Sequence, residues 1–368
     1  MIRSKTLRKA ATLAATLVAA GGLLATTTAP AGATSVDSST LVFVPYNGQT
    51  FTIWRNGNTA TPAHFATSKV IEGDFGGPVG TDLFLYNPGS GPDGVLSVSP
   101  NMSGFTHSFR SESVSGTYTP VVGDFDGNAI DDILWYAPGS AADSIWLFQS
   151  NGSHTVKTQT INGSYKPTAI NTDGDGYTDI VWYAPGGAAD SIWRFGPNAN
   201  HTTKAITING SYQLIPGHFS TVAEGSPQRR LVFFNKAGAD SIWTFDTNAN
   251  HTSAALPNID GAATPVVGEF TSTTRDAILF YRPGSAAEHF ISFNGNGSVN
   301  QLEPPAVNGS YDPEVGDYDG NGYQDIAWAS GGKATLWKFN SGGYTQQNIV
   351  TSTVNTLPAT IDNFRFPA

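Results

Sequence analysis

Three stretches of this sequence place oxygen-bearing side chains at the same four places of a nine-residue segment: Asp124, Asp126, Asn128 and Asp132; Asn171, Asp173, Asp175 and Asp179; Asp317, Asp319, Asn321 and Asp325. The places are 1, 3, 5 and 9, with glycine at place 4 and the backbone carbonyls of Ile130, Tyr177 and Tyr323 at place 7. Three carboxylates on one tight turn repel one another. A hard divalent cation such as Ca²⁺ removes that repulsion, since it takes about six to eight oxygens, mixed among carboxylate, amide, carbonyl and water. The opening resembles an EF-hand loop, but place 12 is Trp135, Trp182 or Trp328 instead of Glu. One such stretch alone would be an ordinary Asp/Asn/Gly turn. Three copies in the same setting predict three structural calcium sites in β-hairpin loops. Around Asp74 and Asp82 half of the donor set survives, Glu269 to Asp276 keeps few of the places, and His218 to Arg230 keeps none.

No catalytic constellation accompanies these loops. Three histidines recur eight residues after a tryptophan, as Trp146/His154, Trp193/His201 and Trp243/His251, and two of them lie in identical Asn-Ala-Asn-His-Thr strings. A catalytic group is needed once, so the repetition points to a structural turn or to a ligand site repeated around the fold. The tryptophans have the same two readings. One is core between packed sheets. The other is a platform for stacking sugar rings, with Asp143, Asp190 and Asp240 three residues before them. The stretch from Gly217 to Arg230, with His218, Glu224, Arg229 and Arg230, breaks the repeat by insertion, through drift or as a dedicated site.

The elements that hold these groups follow from an internal repeat. An apolar strand recurs seven times: Leu41-Val-Phe-Val, Leu83-Phe-Leu-Tyr, Ile133-Leu-Trp-Tyr, Ile180-Val-Trp-Tyr, Leu231-Val-Phe-Phe, Ile278-Leu-Phe-Tyr and Ile326-Ala-Trp-Ala. Each unit reads as four strands, and the acidic loop joins the first two. Both faces of the recurring strand are apolar, so each sheet needs an apolar neighbour on either side. Radial stacking of blades supplies that. The sequence enters at a second strand, Leu41, while Pro358 to Phe364 matches a first strand and stands alone. The expectation is an all-β, seven-bladed β-propeller over residues 34–368, with four antiparallel strands per blade and the ring closed by N-terminal strands pairing with the C-terminal strand.

Residues 1–33 read as a signal peptide. Arg3, Lys5, Arg8 and Lys9 precede an apolar stretch, and Ala31-Gly32-Ala33 has the form of a peptidase site, with cleavage expected after Ala33. Without a twin arginine the general secretory route is expected. The net charge is −10, and removing the leader takes away four positive charges. So acidic a chain is a poor partner for nucleic acid or anionic lipid. With no cysteine, stability outside the cell rests on core burial and metal.

The Gly-Asp-Phe-Asp-Gly-Asn loops, each followed by an apolar strand and Ala-Pro-Gly, resemble FG-GAP/VCBS repeats. These form the propeller of integrin α subunits and occur in many secreted bacterial proteins. The resemblance spans essentially residues 35–368 and implies a structural calcium in the hairpin between the first two strands of a blade. The repeated aromatic positions are similar to those of secreted seven-bladed lectins. The expected function is a secreted, monomeric, calcium-stabilised binding or adhesion module for extracellular glycan or protein, without membrane insertion. The alternative is a polysaccharide lyase or hydrolase working at the propeller channel.

Overall fold

The computed structural model describes residues 39–45, 52–55, 58–60, 69–76, 81–101, 104–186, 189–219, 230–259, 261–284, 287–295, 298–302, 306–330, 333–350 and 356–361. The expected leader and its cleavage point, and most of the divergent stretch including Glu224 and Arg229, lie outside the described residues.

The recurring apolar strand is the buried centre of each repeat. Asp82–Tyr86, Asp132–Tyr136, Asp179–Tyr183, Arg230–Phe234 and Ala277–Tyr281 are buried at every residue. At about 2–3 kcal/mol for each large apolar side chain, these strands supply much of the driving force for folding. The fourth strands are the opposite: His251–Ala255 is exposed throughout and His154–Gln159 is at best half-buried. Burial therefore rises and falls across each sheet, as in a blade with its last strand on the outside.

The chain is a β-propeller of four-stranded antiparallel blades, and six of these are built from consecutive strands. Blade I comprises Lys69–Gly73, Asp82–Tyr86, Asp93–Asn101 and Gly104–Glu112. Blade II comprises Thr119–Gly123, Asp132–Tyr136, Asp143–Phe148 and His154–Gln159. Blade III comprises Lys166–Ile170, Asp179–Tyr183, Asp190–Gly196 and Asn200–Ile206. Blade IV comprises Gln213–Gly217, Arg230–Phe234, Ser241–Phe245 and His251–Ala255. Blade V comprises Thr264–Gly268, Ala277–Tyr281, His289–Phe293 and Val299–Leu302. Blade VI comprises Asp312–Gly316, Asp325–Ser330, Lys333–Asn340 and Gly343–Val350. The count of such blades is six where seven units were expected, because the first and last units share one sheet. In that composite sheet Thr356–Ile361 pairs with Thr40–Pro45, which continues to Thr52–Arg55 and Asn58–Ala60.

The core lies between sheets. Phe75, Phe84 and Tyr86 of blade I pack with Ile133, Trp135 and Trp146 of blade II, and the same pattern repeats to blade VI. Leu41 and Trp54 of the composite sheet pack with Tyr318 and Leu336 of blade VI, and its Val42 and Ile53 with Leu83 and Leu96 of blade I.

Two repeated motifs prove to be fasteners that tie a blade to the segment leading into the next. The Tyr136 hydroxyl donates to the Gly163 carbonyl (2.9 Å) and accepts from the Tyr165 amide (2.8 Å), and Tyr86, Tyr183 and Tyr281 do the same from their own blades. Gly163 has φ 133°, and a side chain there would run into the Tyr165 ring. The aspartate that opens the third strand is the other fastener. Asp143 accepts from Ala137 N and Ile161 N, both at 2.8 Å, and Asp190 and Asp240 bridge equivalent amides.

Candidate functional site

The acidic loops join neighbouring blades. Asp131 N donates to Asp74 O (2.7 Å) across blades I and II, Thr178 N to Asp124 O (2.7 Å) across II and III, and Gln324 N to Glu269 O (3.3 Å) across V and VI. Their order is therefore shared around one end of the propeller.

Within blade II the loop is folded by its own carboxylates. Asp124 Oδ1 accepts from Gly127 N (2.7 Å) and Asn128 N (3.1 Å), and its Oδ2 from Ala129 N (3.0 Å). Asp132 Oδ2 accepts from Phe125 N (2.9 Å) and Oδ1 from Phe148 N (2.8 Å), tying strand one to strand three. Asn128 Nδ2 donates to Phe148 O (2.8 Å) while its Oδ1 accepts from Ile130 N (2.7 Å). Blade VI repeats this: Asp317 gathers Gly320 N, Asn321 N and Gly322 N, Asp325 holds Tyr318 N and Phe339 N, and Asn321 bridges Phe339 O and Tyr323 N. In each loop three carboxylates converge, Asp124/Asp126/Asp132 and Asp317/Asp319/Asp325, with one oxygen from each within 4.8 Å of the others.

Like charge is concentrated in these clusters. Burial, and then the charge of Asp126, push the Asp132 carboxyl up to about 8. Burial and then Asp319 push Asp325 up to about 8 as well. The residue types fit Ca²⁺: three converging carboxylates, with the Asn128 or Asn321 amide and the carbonyl of Ile130 or Tyr323 on the same turn. Held there, a cation would bridge strands one and two of the blade.

The blade III loop differs. Asn171 Oδ1 accepts from Gly174 N (2.5 Å), Asp175 Oδ1 from Tyr177 N (3.0 Å), and Asp179 from Thr172 N (2.8 Å) and Phe195 N (3.0 Å). Burial pushes Asp179 up to about 7. Asp173, however, is turned onto Arg194, whose Nε (2.7 Å) and Nη2 both donate to Asp173 Oδ2. Among the described residues only the loops of blades II and VI bring three carboxylates together. In blade I, Asp82 accepts from Phe75 N (3.1 Å) and burial pushes it up to about 7, while residues 77–80 lie outside the described residues. In blade V, Ala277 occupies place 9, and Asp276 instead accepts from His218 N (2.6 Å) of blade IV.

The repeated tryptophans and histidines meet as stacked pairs. Ring centroids lie 4.1 Å apart for Trp146/His154, 3.8 Å for Trp193/His201 and 3.5 Å for Trp243/His251, with planes within 12° of parallel. Each imidazole therefore covers one indole face, and burial holds all three histidines below their ordinary value. Asp143, Asp190 and Asp240 do not join them: these carboxylates are 2–4% exposed and spent on backbone amides.

The Asn-Ala-Asn-His string has a partner that sequence reading missed. Lys157 Nζ of blade II reaches the blade III turn and donates to Asn198 O (3.0 Å), Ala199 O (2.8 Å) and Asn200 Oδ1 (2.9 Å). Lys204 of blade III does the same to Asn248 O (2.8 Å) and Asn250 Oδ1 (2.7 Å) of blade IV. The turns present these carbonyls because Asn198, Ala199 and Ala249 adopt φ of 61°, 52° and 55°. Lys157 faces Ile145 on its blade and Lys204 faces Ile192, and at the same register blade I has Arg110 and blade V has Leu302.

A groove lies beside Leu302. It holds about 360 Å³ between blades V and VI. Phe290 and Leu302 form one wall, Phe339 and Tyr344 the other, and Asn340 and Ser341 stand at the rim. Tyr344 takes the histidine's place, its ring 4.7 Å from Trp337 and tilted by 32°, and is 36% exposed. A second, polar hollow of about 310 Å³ lies in blade III among Asp173, Asp175, Arg194, Asn200 and His201.

No protein-family model and no curated protein sequence matches this chain. Solved structures share its fold at low identity. An Agrocybe aegerita lectin, described by its specific recognition of non-reducing terminal N-acetylglucosamine, superposes with a TM-score of 0.67 at 13% identity, over 89% of this chain and 96% of that one. A putative 6-phosphogluconolactonase from Bacteroides uniformis gives 0.55 at 12% identity, over 88% and 99%. A protein from Lactobacillus plantarum gives 0.55 at 10% identity, over 88% and 100%.

Proposed function

We propose that this chain is a secreted, non-enzymatic glycan-binding propeller of the FG-GAP/VCBS type, with calcium ordering the hairpin loops of blades II and VI. The observation that carries the glycan reading is the groove between blades V and VI. Sugars present flat C–H faces and N-acetyl methyls beside a rim of hydroxyls. The groove matches that with the exposed ring of Tyr344, backed by the buried Phe290 and Phe339, for the apolar face, and Asn340 and Ser341 for hydrogen bonds. The likeness in fold to a lectin that recognises terminal N-acetylglucosamine supports the same class of ligand. In this reading the composite sheet is the seventh blade, since its strands pack on blade VI on one side and blade I on the other.

The test uses residues 34–368 with millimolar calcium on an array of glycans, including ones ending in N-acetylglucosamine. Binding without turnover, reduced at least tenfold by Tyr344→Ala, is expected. No binding, or binding indifferent to Tyr344, would refute the assignment. Calorimetric counting of bound calcium tests the metal separately.

A second reading, polysaccharide cleavage at the channel, has one observation in its favour. Glu314, on the inner strand of blade VI, shares a hydrogen bond with Glu72 on the inner strand of blade I. Burial, then the charges of Glu72 and Asp312, raise the Glu314 carboxyl well above the usual carboxylate range, as a general acid requires. Release of new reducing or unsaturated ends, abolished by Glu314→Gln, would establish it over the first.

A further inference from the structure

We infer that Arg194 is the built-in cation of the blade III loop, so that the chain takes two calcium ions, in blades II and VI, and its third loop needs none. The inference rests on the calcium reading of the other two loops and marks where that reading stops.

Donor count does not separate the three loops, for each carries three carboxylates and one amide, although the amide stands at place 1 in blade III (Asn171) and at place 5 in blades II and VI (Asn128, Asn321). Geometry does. In blades II and VI the carboxylates at places 1, 3 and 9 converge, whereas in blade III Asp173, at place 3, is held by a guanidinium. Arg194 belongs to strand three and directly precedes Phe195, whose amide is bound by Asp179 at place 9. A side chain leaving strand three at this point is therefore carried to the mouth of the loop. The corresponding residue is Leu147 in blade II, which has no charge to offer. In blade VI it is Lys338, which among the described residues forms no ion pair with Asp319.

The pair is also the kind that competes with a metal. Two N–H groups of one guanidinium meet one carboxylate oxygen, and the Asp173 side chain is only 2% exposed. A planar, permanently charged fork suits a carboxylate held in this way, where a lysine would bring only a point charge. A calcium ion entering blade III would have to displace Arg194 from Asp173 and sit beside a second positive charge. The loop instead carries its own cation, which offsets the Asp173 charge, and its fold is independent of the calcium supply.

The experiment counts calcium on residues 34–368 by calorimetry and by metal analysis, for the wild type and for Arg194→Leu, which installs the blade II residue. Two ions in the wild type and three in the variant are expected. Three in the wild type, or two in the variant, would overturn the inference while leaving calcium in blades II and VI intact. None in the wild type would overturn the calcium reading and this inference with it. Hydrogen exchange on the wild type gives a readout that does not depend on the variant folding. Chelation should speed exchange at least tenfold at amides in 124–132 and 317–325 and leave 171–179 unchanged. An equal response in all three loops would refute the role of Arg194.

Discussion

Replacing Lys157 with methionine should weaken the seam between blades II and III without touching either core. Methionine keeps the apolar stem that lies against the neighbouring blade and removes only the ammonium. The structure gives that ammonium three acceptors, Asn198 O, Ala199 O and Asn200 Oδ1, all within 3.0 Å. A hydrogen bond from a charged group contributes about 1.5–3 kcal/mol when sheltered, and about a third of that where water competes. Lys157 is half-exposed, so the three together amount to about 1.5–3 kcal/mol. Lys204→Met, which removes two such bonds, should cost about two-thirds as much. The seams share no partner, so the double variant should be additive within about 0.5 kcal/mol. Urea unfolding in saturating calcium measures this, as a fall in midpoint at constant slope. A cost for Lys157→Met under about 0.3 kcal/mol, or a larger cost for Lys204→Met, would refute the view that these turns are sockets for a cation from the preceding blade.

Two further outcomes follow from single residues. Ala129 holds φ 68° where blades III and VI have Gly176 and Gly322, so Ala129→Gly should raise stability by about 0.5–1 kcal/mol in thermal or urea unfolding; a loss would show that its methyl packs usefully. Glu314 has a folded-state pKa above its unfolded value, so the stability it contributes is full below about pH 4.3 and is lost as pH rises through the folded value. The groups facing it are Glu72 of blade I and Asp312 on its own strand, and the strand 356–361 brings no ionisable side chain. Glu314→Gln should therefore flatten the decline in melting temperature toward alkaline pH. An unchanged profile would mean that the carboxyl pair is not strained.

The sequence carried the blade pattern clearly because each repeat buries both faces of one strand, and a run such as Ile133-Leu-Trp-Tyr has no other stable setting. The acidic loops were legible for a similar reason, their order being local and written into nine consecutive residues. What escaped was written across the chain. Arg194 acts on Asp173 from 21 positions away and Lys157 on Ala199 from 42, and nothing in either neighbourhood announces the partner. Asp143, Asp190 and Asp240 looked like polar company for the tryptophans. Their role depends on amides from two separate loops. The Trp/His stacking could have been derived, since eight residues across a hairpin bring Phe148 opposite His154 and set His154 beside Trp146 on one face.

The composite sheet also bears on how the molecule is made. Thr40 pairs with Ile361, so the strand that completes this sheet is synthesised after every other described strand. Until it arrives, the inner edge of Thr40–Pro45 is a row of unsatisfied amides and carbonyls, the usual template for pairing with a foreign strand. Closing a loop of that span is slow compared with forming any hairpin within a blade. Docking of these six residues should therefore compete, at high concentration, with docking of the same six residues from a neighbouring copy. Strand-exchanged dimers are the misfolded product this architecture favours, and dilution during refolding is the remedy it prescribes.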